Sequence, residues 1–80
     1  MRLPRDVSGS RLAAALAVLG YAVTRQTGSH IRLTTVQNGE HHATIPHHDA
    51  LRVGTLSEIL SDVAGHFGLT RDALLERLSL

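Results

Sequence analysis

The chain of 80 residues contains no cysteine. Without thiols it has no disulfide framework, no cysteine nucleophile and no thiolate zinc site. Redox chemistry on sulfur pairs is excluded for the same reason. A chain without cysteine is compatible with a reducing compartment, and we therefore expect a cytoplasmic protein.

Aromatic side chains and long apolar runs are also scarce. Tyr21 and Phe67 are the only aromatic residues, so leucine, isoleucine and valine must form most of the core. The longest apolar run, Leu12 to Leu19, is far shorter than the roughly 20 residues that span a bilayer. We predict one small domain, residues 1–80, that does not enter a membrane.

Lysine is absent as well, and the eight arginines are unevenly distributed. Residues 1–39 contain five arginines and one acid, whereas residues 40–80 contain three arginines and six acids. Arginine suits bidentate contacts with phosphate. The exclusive use of arginine is, however, equally expected from genomic base composition.

Three helices are predicted from caps and apolar spacing. Ser8 is a good N-cap for a helix from Gly9 to Leu19, which Gly20 ends. The sequence Thr55-Leu56-Ser57-Glu58 has the pattern of a capping box, and it predicts the start of a second helix that ends at Gly68. Thr70 caps a short third helix.

Three strands lie between the first and second helices. Tyr21, Val23 and Arg25 recur at period two and predict one face of the first strand, while His30 to Val36 and His41 to Pro46 predict the next two. The fold class is therefore α+β, in the order α-β-β-β-α with a short C-terminal helix. A three-stranded antiparallel sheet with helices on one face leaves its other face open to a ligand.

The register of the second hairpin can be predicted from Ile45. A two-residue turn at Asn38-Gly39 would set Ile45 on the same face as His30 and Arg32. Because Ile45 is expected to be buried, we predict an odd-numbered loop or a bulge that returns it to the core face.

Five of the six histidines fall between residues 30 and 48. If Ile31 and Leu33 face the core, His30 and Arg32 face the open side. Imidazole titrates near neutral pH, and it can accept or donate the protons that move when the 2′-hydroxyl of RNA attacks the adjacent phosphate. A nearby arginine, Arg32 or Arg25, can stabilise the charge on phosphorus.

Metal binding is disfavoured by the way the other histidines are paired. His41 and His42 are adjacent, as are His47 and His48. Neighbouring strand residues point to opposite faces, so each pair supplies only one ligand to a common site. We expect neither a metal nor another cofactor.

The chain resembles the HicA (YcfA-like) toxins of bacterial toxin-antitoxin pairs. The resemblance follows the segments LPRDVSGSRLAAAL, LGYAVTRQTGSHIRL, TIPHH and GTLSEIL in order, and it covers nearly the whole chain. The combination of GSH with P-x-H and GTL at these separations is specific, whereas GSH alone is not.

The resemblance implies a double-stranded-RNA-binding-like fold and the toxin role of a type II toxin-antitoxin system. It also implies cleavage of mRNA without the ribosome, by acid-base chemistry that depends on the histidine of GSH, His30. His48 corresponds to the histidine after the proline and is a second candidate catalytic residue. Gly28 and Ser29 of the motif, with Arg25 and Arg32, are the expected RNA-binding residues. The expected partner is a HicB-type antitoxin, in a hetero-oligomer with this chain.

An alternative is a non-enzymatic module that binds double-stranded RNA or a protein. Double-stranded-RNA-binding modules bind phosphates with a lysine cluster at the start of their last helix. The corresponding segment here, residues 55–65, contains Glu58 and Asp62 and no cation. This segment therefore counts against passive binding of duplex RNA.

Overall fold

The structure is a computed structural model that describes residues 3–80, so Arg2 of the basic half lies outside the described residues. The chain folds in the order helix, three strands, two helices, which is compatible with the expected double-stranded-RNA-binding-like fold. The elements are α1 (Gly9–Leu16) followed by a 3-10 turn (Ala17–Leu19), β1 (Ala22–Gln26), β2 (His30–Thr35), β3 (His41–Pro46), α2 (Val53–Phe67) and α3 (Arg71–Leu78).

Helix α1 begins and ends where its caps predict. The Ser8 hydroxyl accepts the backbone N–H of Arg11 at 3.0 Å. Gly20 ends the following 3-10 turn in a left-handed conformation, with φ of 81°. The helical segment thus covers the predicted range from Gly9 to Leu19, although its last turn is tighter than an α-helix.

The sheet is antiparallel throughout, in the order β1-β2-β3. Ile31 pairs with Ile45 and Leu33 with Ala43, and all four side chains are buried beneath the helices. Thr35 pairs with His41, so residues 36–40 form a loop of odd length. The prediction that such a loop returns Ile45 to the core is confirmed.

Strand β1 contains a β-bulge that the sequence pattern did not predict. Val23 lies opposite Leu33 on the core side, but Arg25 lies opposite Arg32 on the open side. The extra residue is Thr24, and it changes which face the rest of the strand presents. The expectation that Tyr21, Val23 and Arg25 share one face is therefore wrong for Arg25.

The predicted capping box at Thr55 and Glu58 is also wrong. Helix α2 begins three residues earlier, at Val53, with Arg52 in place of Thr55 as an N-cap that makes no side-chain hydrogen bond. Leu51 and Leu56 have the N′ and N4 spacing of a hydrophobic staple, and both are buried in the same core cluster. Apolar burial, rather than a hydroxyl cap, fixes the start of this helix.

Helix α3 completes the core on the helical side of the sheet. The Thr70 hydroxyl accepts the N–H of Ala73 at 3.1 Å, as its predicted role as N-cap requires. The buried side chains of α3 are Leu74, Leu75 and Leu78. Within residues 3–80, every helix is too short or too polar to traverse a bilayer.

Candidate nucleic-acid interface

The open face of the sheet carries polar and basic side chains. On β2 and β3 these side chains alternate along the strand with the buried residues. The bulge in β1 brings two further side chains, Thr24 and Arg25, to the same face. Thr34 is partly buried and the others are exposed. They are Thr24, Arg25, His30, Arg32, Thr34, His42 and Thr44.

His30 lies at the start of β2, and the loop before it holds its ring and backbone. Nδ1 of His30 lies 3.0 Å from the Ser29 hydroxyl. The Thr27 hydroxyl accepts the backbone N–H groups of Ser29 and His30 at 3.3 and 3.1 Å. With Nδ1 engaged by Ser29, Nε2 is the ring nitrogen that remains for a ligand on this exposed face.

Arg25 and Arg32 lie directly across from each other on β1 and β2. Like charges in this position repel and destabilise a sheet. Neither side chain forms an ion pair with a carboxylate within the described residues 3–80. An anion between the two guanidinium groups would relieve the repulsion, and a phosphate also offers the geometry that arginine binds in a bidentate manner.

Gly28 is not required by the conformation of its own loop. Its φ lies outside the left-handed region, and a Cβ atom at this position would have no heavy atom within 4 Å. The space above Gly28 is therefore available to a ligand. Nothing within the described chain accounts for a glycine here.

The end of β3 is joined to the loop of His30 and to the start of α1. The backbone N–H of His47 donates to the Ser29 carbonyl at 2.9 Å, and the N–H of Gly9 donates to the His48 carbonyl at 2.9 Å. Nε2 of His47 lies 3.1 Å from the Ser10 hydroxyl. His30 pairs with Pro46, so the backbone of the exposed His48 lies at the same end of the sheet.

His41 and His42 point to opposite faces, as the alternation of strand residues predicts. His42 lies on the open face, with Nδ1 2.8 Å from the Thr34 hydroxyl. On the core side, His41 bridges Tyr21 and Asp62: its Nδ1 lies 2.6 Å from the Tyr21 hydroxyl and its Nε2 lies 3.3 Å from Asp62 Oδ2. Burial and the nearby Asp62 carboxylate raise the pKa of Tyr21 to about 12.

His66 has a structural role at the end of α2. Its Nε2 lies 2.9 Å from the Gln37 carbonyl and 3.0 Å from the Gly39 carbonyl, so this nitrogen must carry a proton and donate. The Asn38 amide in turn donates to the His66 carbonyl at 2.8 Å. These bonds hold the β2–β3 loop against α2, which the sequence did not reveal because the partners are backbone atoms.

A groove of about 400 Å³ lies on the other side of the sheet, between α1 and β1. Its walls are mostly alanine and aliphatic side chains, with Ser10, Tyr21 and Gln26 as the polar groups. Its lining includes none of the predicted site residues. No cluster of three or more metal-ligating side chains occurs within residues 3–80.

Comparison with known proteins gives one family. Residues 9–64 match the family described as the HicA toxin of bacterial toxin-antitoxin systems. That match includes α1, the whole sheet and most of α2, and with them all the predicted site residues. No curated protein and no solved structure matches the chain.

Proposed function

Since this chain belongs to the HicA toxin family of bacterial toxin-antitoxin systems, we propose that it is an endoribonuclease that cleaves mRNA without a metal ion or the ribosome. The observation that carries the proposal is the position of His30. This side chain is exposed at the start of β2, bonded through Nδ1 to Ser29, and on the same face as Arg32 and Arg25.

The chemistry requires two proton transfers. A base removes the proton of a 2′-hydroxyl, the 2′-oxygen forms a bond to phosphorus, and the bond from phosphorus to the 5′-oxygen breaks. That 5′-oxygen takes a proton from an acid, which leaves a 2′,3′-cyclic phosphate and a 5′-hydroxyl. Nε2 of His30 serves as the base or the acid, and His48, at the same end of the sheet, is the candidate for the other role.

Arg25 and Arg32 stabilise the phosphate during this reaction. The phosphorus gains negative charge as the 2′-oxygen attacks, and fixed cations aimed at that charge lower the barrier. Two guanidinium groups that already repel each other gain more from binding an anion than two that are neutralised by carboxylates. Gly28 and Ser29 complete the surface, because Gly28 leaves space for the RNA backbone and Ser29 positions His30.

The partner that we propose is a HicB-type antitoxin, bound in a hetero-oligomer. A protein that covers the open face of the sheet would block access of RNA to His30. The exposed arginines favour a partner that presents carboxylates there. The absence of cysteine supports a cytoplasmic location for both RNA cleavage and its inhibition.

The test uses purified protein, a chelator and two labelled RNAs. One RNA is unmodified, and the other carries a 2′-deoxy substitution at the nucleotide on the 5′ side of a mapped cut. We expect cleavage of the first RNA to a cyclic phosphate, and no cleavage of the second at the substituted position. Binding of RNA without any cleavage would favour the passive module instead.

A further inference from the structure

A second group of polar side chains lies on the open face, at the opposite end of β2 from His30. Glu40 Oε2 lies 3.5 Å from Nε2 of His42. Nδ1 of His42 lies 2.8 Å from the Thr34 hydroxyl, which lies 3.2 Å from the Thr24 hydroxyl. A carboxylate, an imidazole and two hydroxyls are thus connected in one chain of contacts across all three strands.

This group lies several residues along the sheet from His30, the proposed catalytic residue. His42 pairs with Thr34, and Thr34 is four residues from His30 along β2. At about 3.3 Å per residue, the two histidines are roughly 13 Å apart along the strand. Nucleotides stacked as in a duplex rise about 3.4 Å each. RNA that places its cut phosphate at His30 therefore places a different nucleotide at His42.

The chemistry of the group suits a base rather than a phosphate. A carboxylate repels phosphate but accepts N–H groups, and only one of its possible contacts is used by His42. Guanine is the one RNA base whose Watson–Crick edge presents two adjacent N–H donors, N1–H and N2–H, which match the two oxygens of a carboxylate. The exposed imidazole of His42 supplies a flat surface on which a base can stack.

The contacts are not needed to hold the hairpin together. The side chains of His42 and Glu40 are 42% and 68% exposed, and exposed pairs of this kind contribute little to stability. The adjacent loop is held instead by the hydrogen bonds of His66 to the carbonyls of Gln37 and Gly39. Glu40 is therefore available to a ligand.

We infer that Glu40, His42 and Thr34 form a guanine-binding site that influences where the RNA is cut. The inference rests on the proposed function for its biological meaning, because it assumes that RNA lies along β2 from His30 to His42. In this arrangement Arg25 and Arg32 contact the phosphates between the two ends. Glu40 accepts N1–H and N2–H of guanine, and His42 holds the Glu40 carboxylate and stacks against the base.

The experiment compares two short RNAs, one of alternating uridine and guanosine and one of alternating uridine and inosine. Inosine lacks only the N2 amino group, and the alternation places the purine at every second nucleotide, so a shift of at most one nucleotide brings it to the site. Binding is measured by fluorescence anisotropy with the His30→Ala protein, which leaves the RNA intact. The same measurement is made with two double variants. One combines His30→Ala with Glu40→Gln, and the control combines it with Glu76→Gln on α3, which makes the same change of charge.

We expect His30→Ala to bind the guanosine RNA about tenfold more tightly than the inosine RNA. Glu40→Gln should remove the difference and Glu76→Gln should retain it. Three outcomes would overturn the guanine site and leave Glu40 and His42 as a surface pair only. They are a preference for guanosine that is as large with Glu40→Gln as without it, no preference in His30→Ala, and no binding of either RNA. Failure of the unsubstituted protein to cut either RNA, with the binding preference intact, would instead overturn the nuclease and support the guanine site.

Discussion

The Ser29 hydroxyl lies 3.0 Å from Nδ1 of His30, within the loop that joins β1 to β2. This contact connects two neighbouring residues of the GSH motif through their side chains rather than through the backbone alone. It restricts rotation of the imidazole about its side-chain bonds. We therefore propose that Ser29 positions the His30 ring.

Ser29→Ala is predicted to slow RNA cleavage about fivefold, because one hydrogen bond of about 1 kcal/mol that orients the ring is lost. Ser29→Thr, which keeps the hydroxyl, should restore most of the rate. The measurement is the single-turnover rate across a range of pH. A shifted pH profile in Ser29→Ala supports positioning of His30, whereas an unchanged rate and profile would show that the contact has no role in catalysis.

Arg32→Ala and Arg25→Ala are predicted to weaken RNA binding for all sequences alike. Each change removes one phosphate contact, so the slope of log K against log salt should become less steep by about one per substitution. The double variant should lose both contacts and gain stability, since the repulsion between the two strands disappears. Binding titrations at several salt concentrations test this, with Arg77→Gln on α3 as the control.

An unchanged salt slope in Arg25→Ala would mean that the bulge at Thr24 does not deliver this side chain to the RNA. The bulge itself gives a second check. Deleting Thr24 should remove the extra residue while Val23 stays opposite Leu33 and Arg25 stays opposite Arg32, so Arg25 remains on the open side and RNA affinity should fall by less than in Arg25→Ala.

Gly9→Ala is predicted to destabilise the protein by about 1–3 kcal/mol, since the added Cβ would overlap the Pro46 carbonyl oxygen and separate α1 from β3. Gly65→Ala is the matched control. A Cβ at Gly65 in α2 meets no heavy atom within 4 Å, so this change should stabilise the helix by about 0.5–1 kcal/mol. Urea unfolding of both variants measures the difference, and equal stabilities would contradict the close approach at Gly9.

Tyr21 is predicted to ionise at a pH of about 12, and it is the only tyrosine, so absorbance of the phenolate reports it directly. The raised pKa means that the folded state holds this proton more tightly than the unfolded state. The contribution to stability is therefore complete below pH 10 and is lost as the pH rises from about 10 to about 12. Tyr21→Phe should remove this alkaline loss, and an ionisation midpoint near 10 would contradict the burial of the Tyr21 hydroxyl near the Asp62 carboxylate.

The three strands, the register of the β2–β3 hairpin and the face on which His30 lies could all be predicted from the sequence. Ile45 indicated the register because a large aliphatic residue at that position had to be buried, which requires an odd loop or a bulge, and the structure has the odd loop. Ser8 and Thr70 marked helix starts correctly because their hydroxyls bond to backbone within the same turn. Such local or strongly apolar signals can be recognised without coordinates.

The features that escaped prediction depend on contacts between distant segments. The start of α2 follows the burial of Leu51 and Leu56, although Thr55 and Glu58 have the spacing of a capping box. The bulge at Thr24 leaves no mark in the apolar pattern, since all of β1 is exposed. The bonds from His66 to the β2–β3 loop, and the group of Glu40 and His42, arise only once the hairpin is folded.

The most direct test of the account is RNA cleavage by His30→Ala, measured beside the unsubstituted protein and His48→Ala. Because His30 is exposed, the variant should keep its circular dichroism spectrum and melting temperature. We predict that His30→Ala binds RNA but no longer cleaves it, in the presence of a chelator and at every pH tested. Cleavage by a folded His30→Ala protein at the rate of the unsubstituted protein would contradict the central claim that this imidazole carries the chemistry.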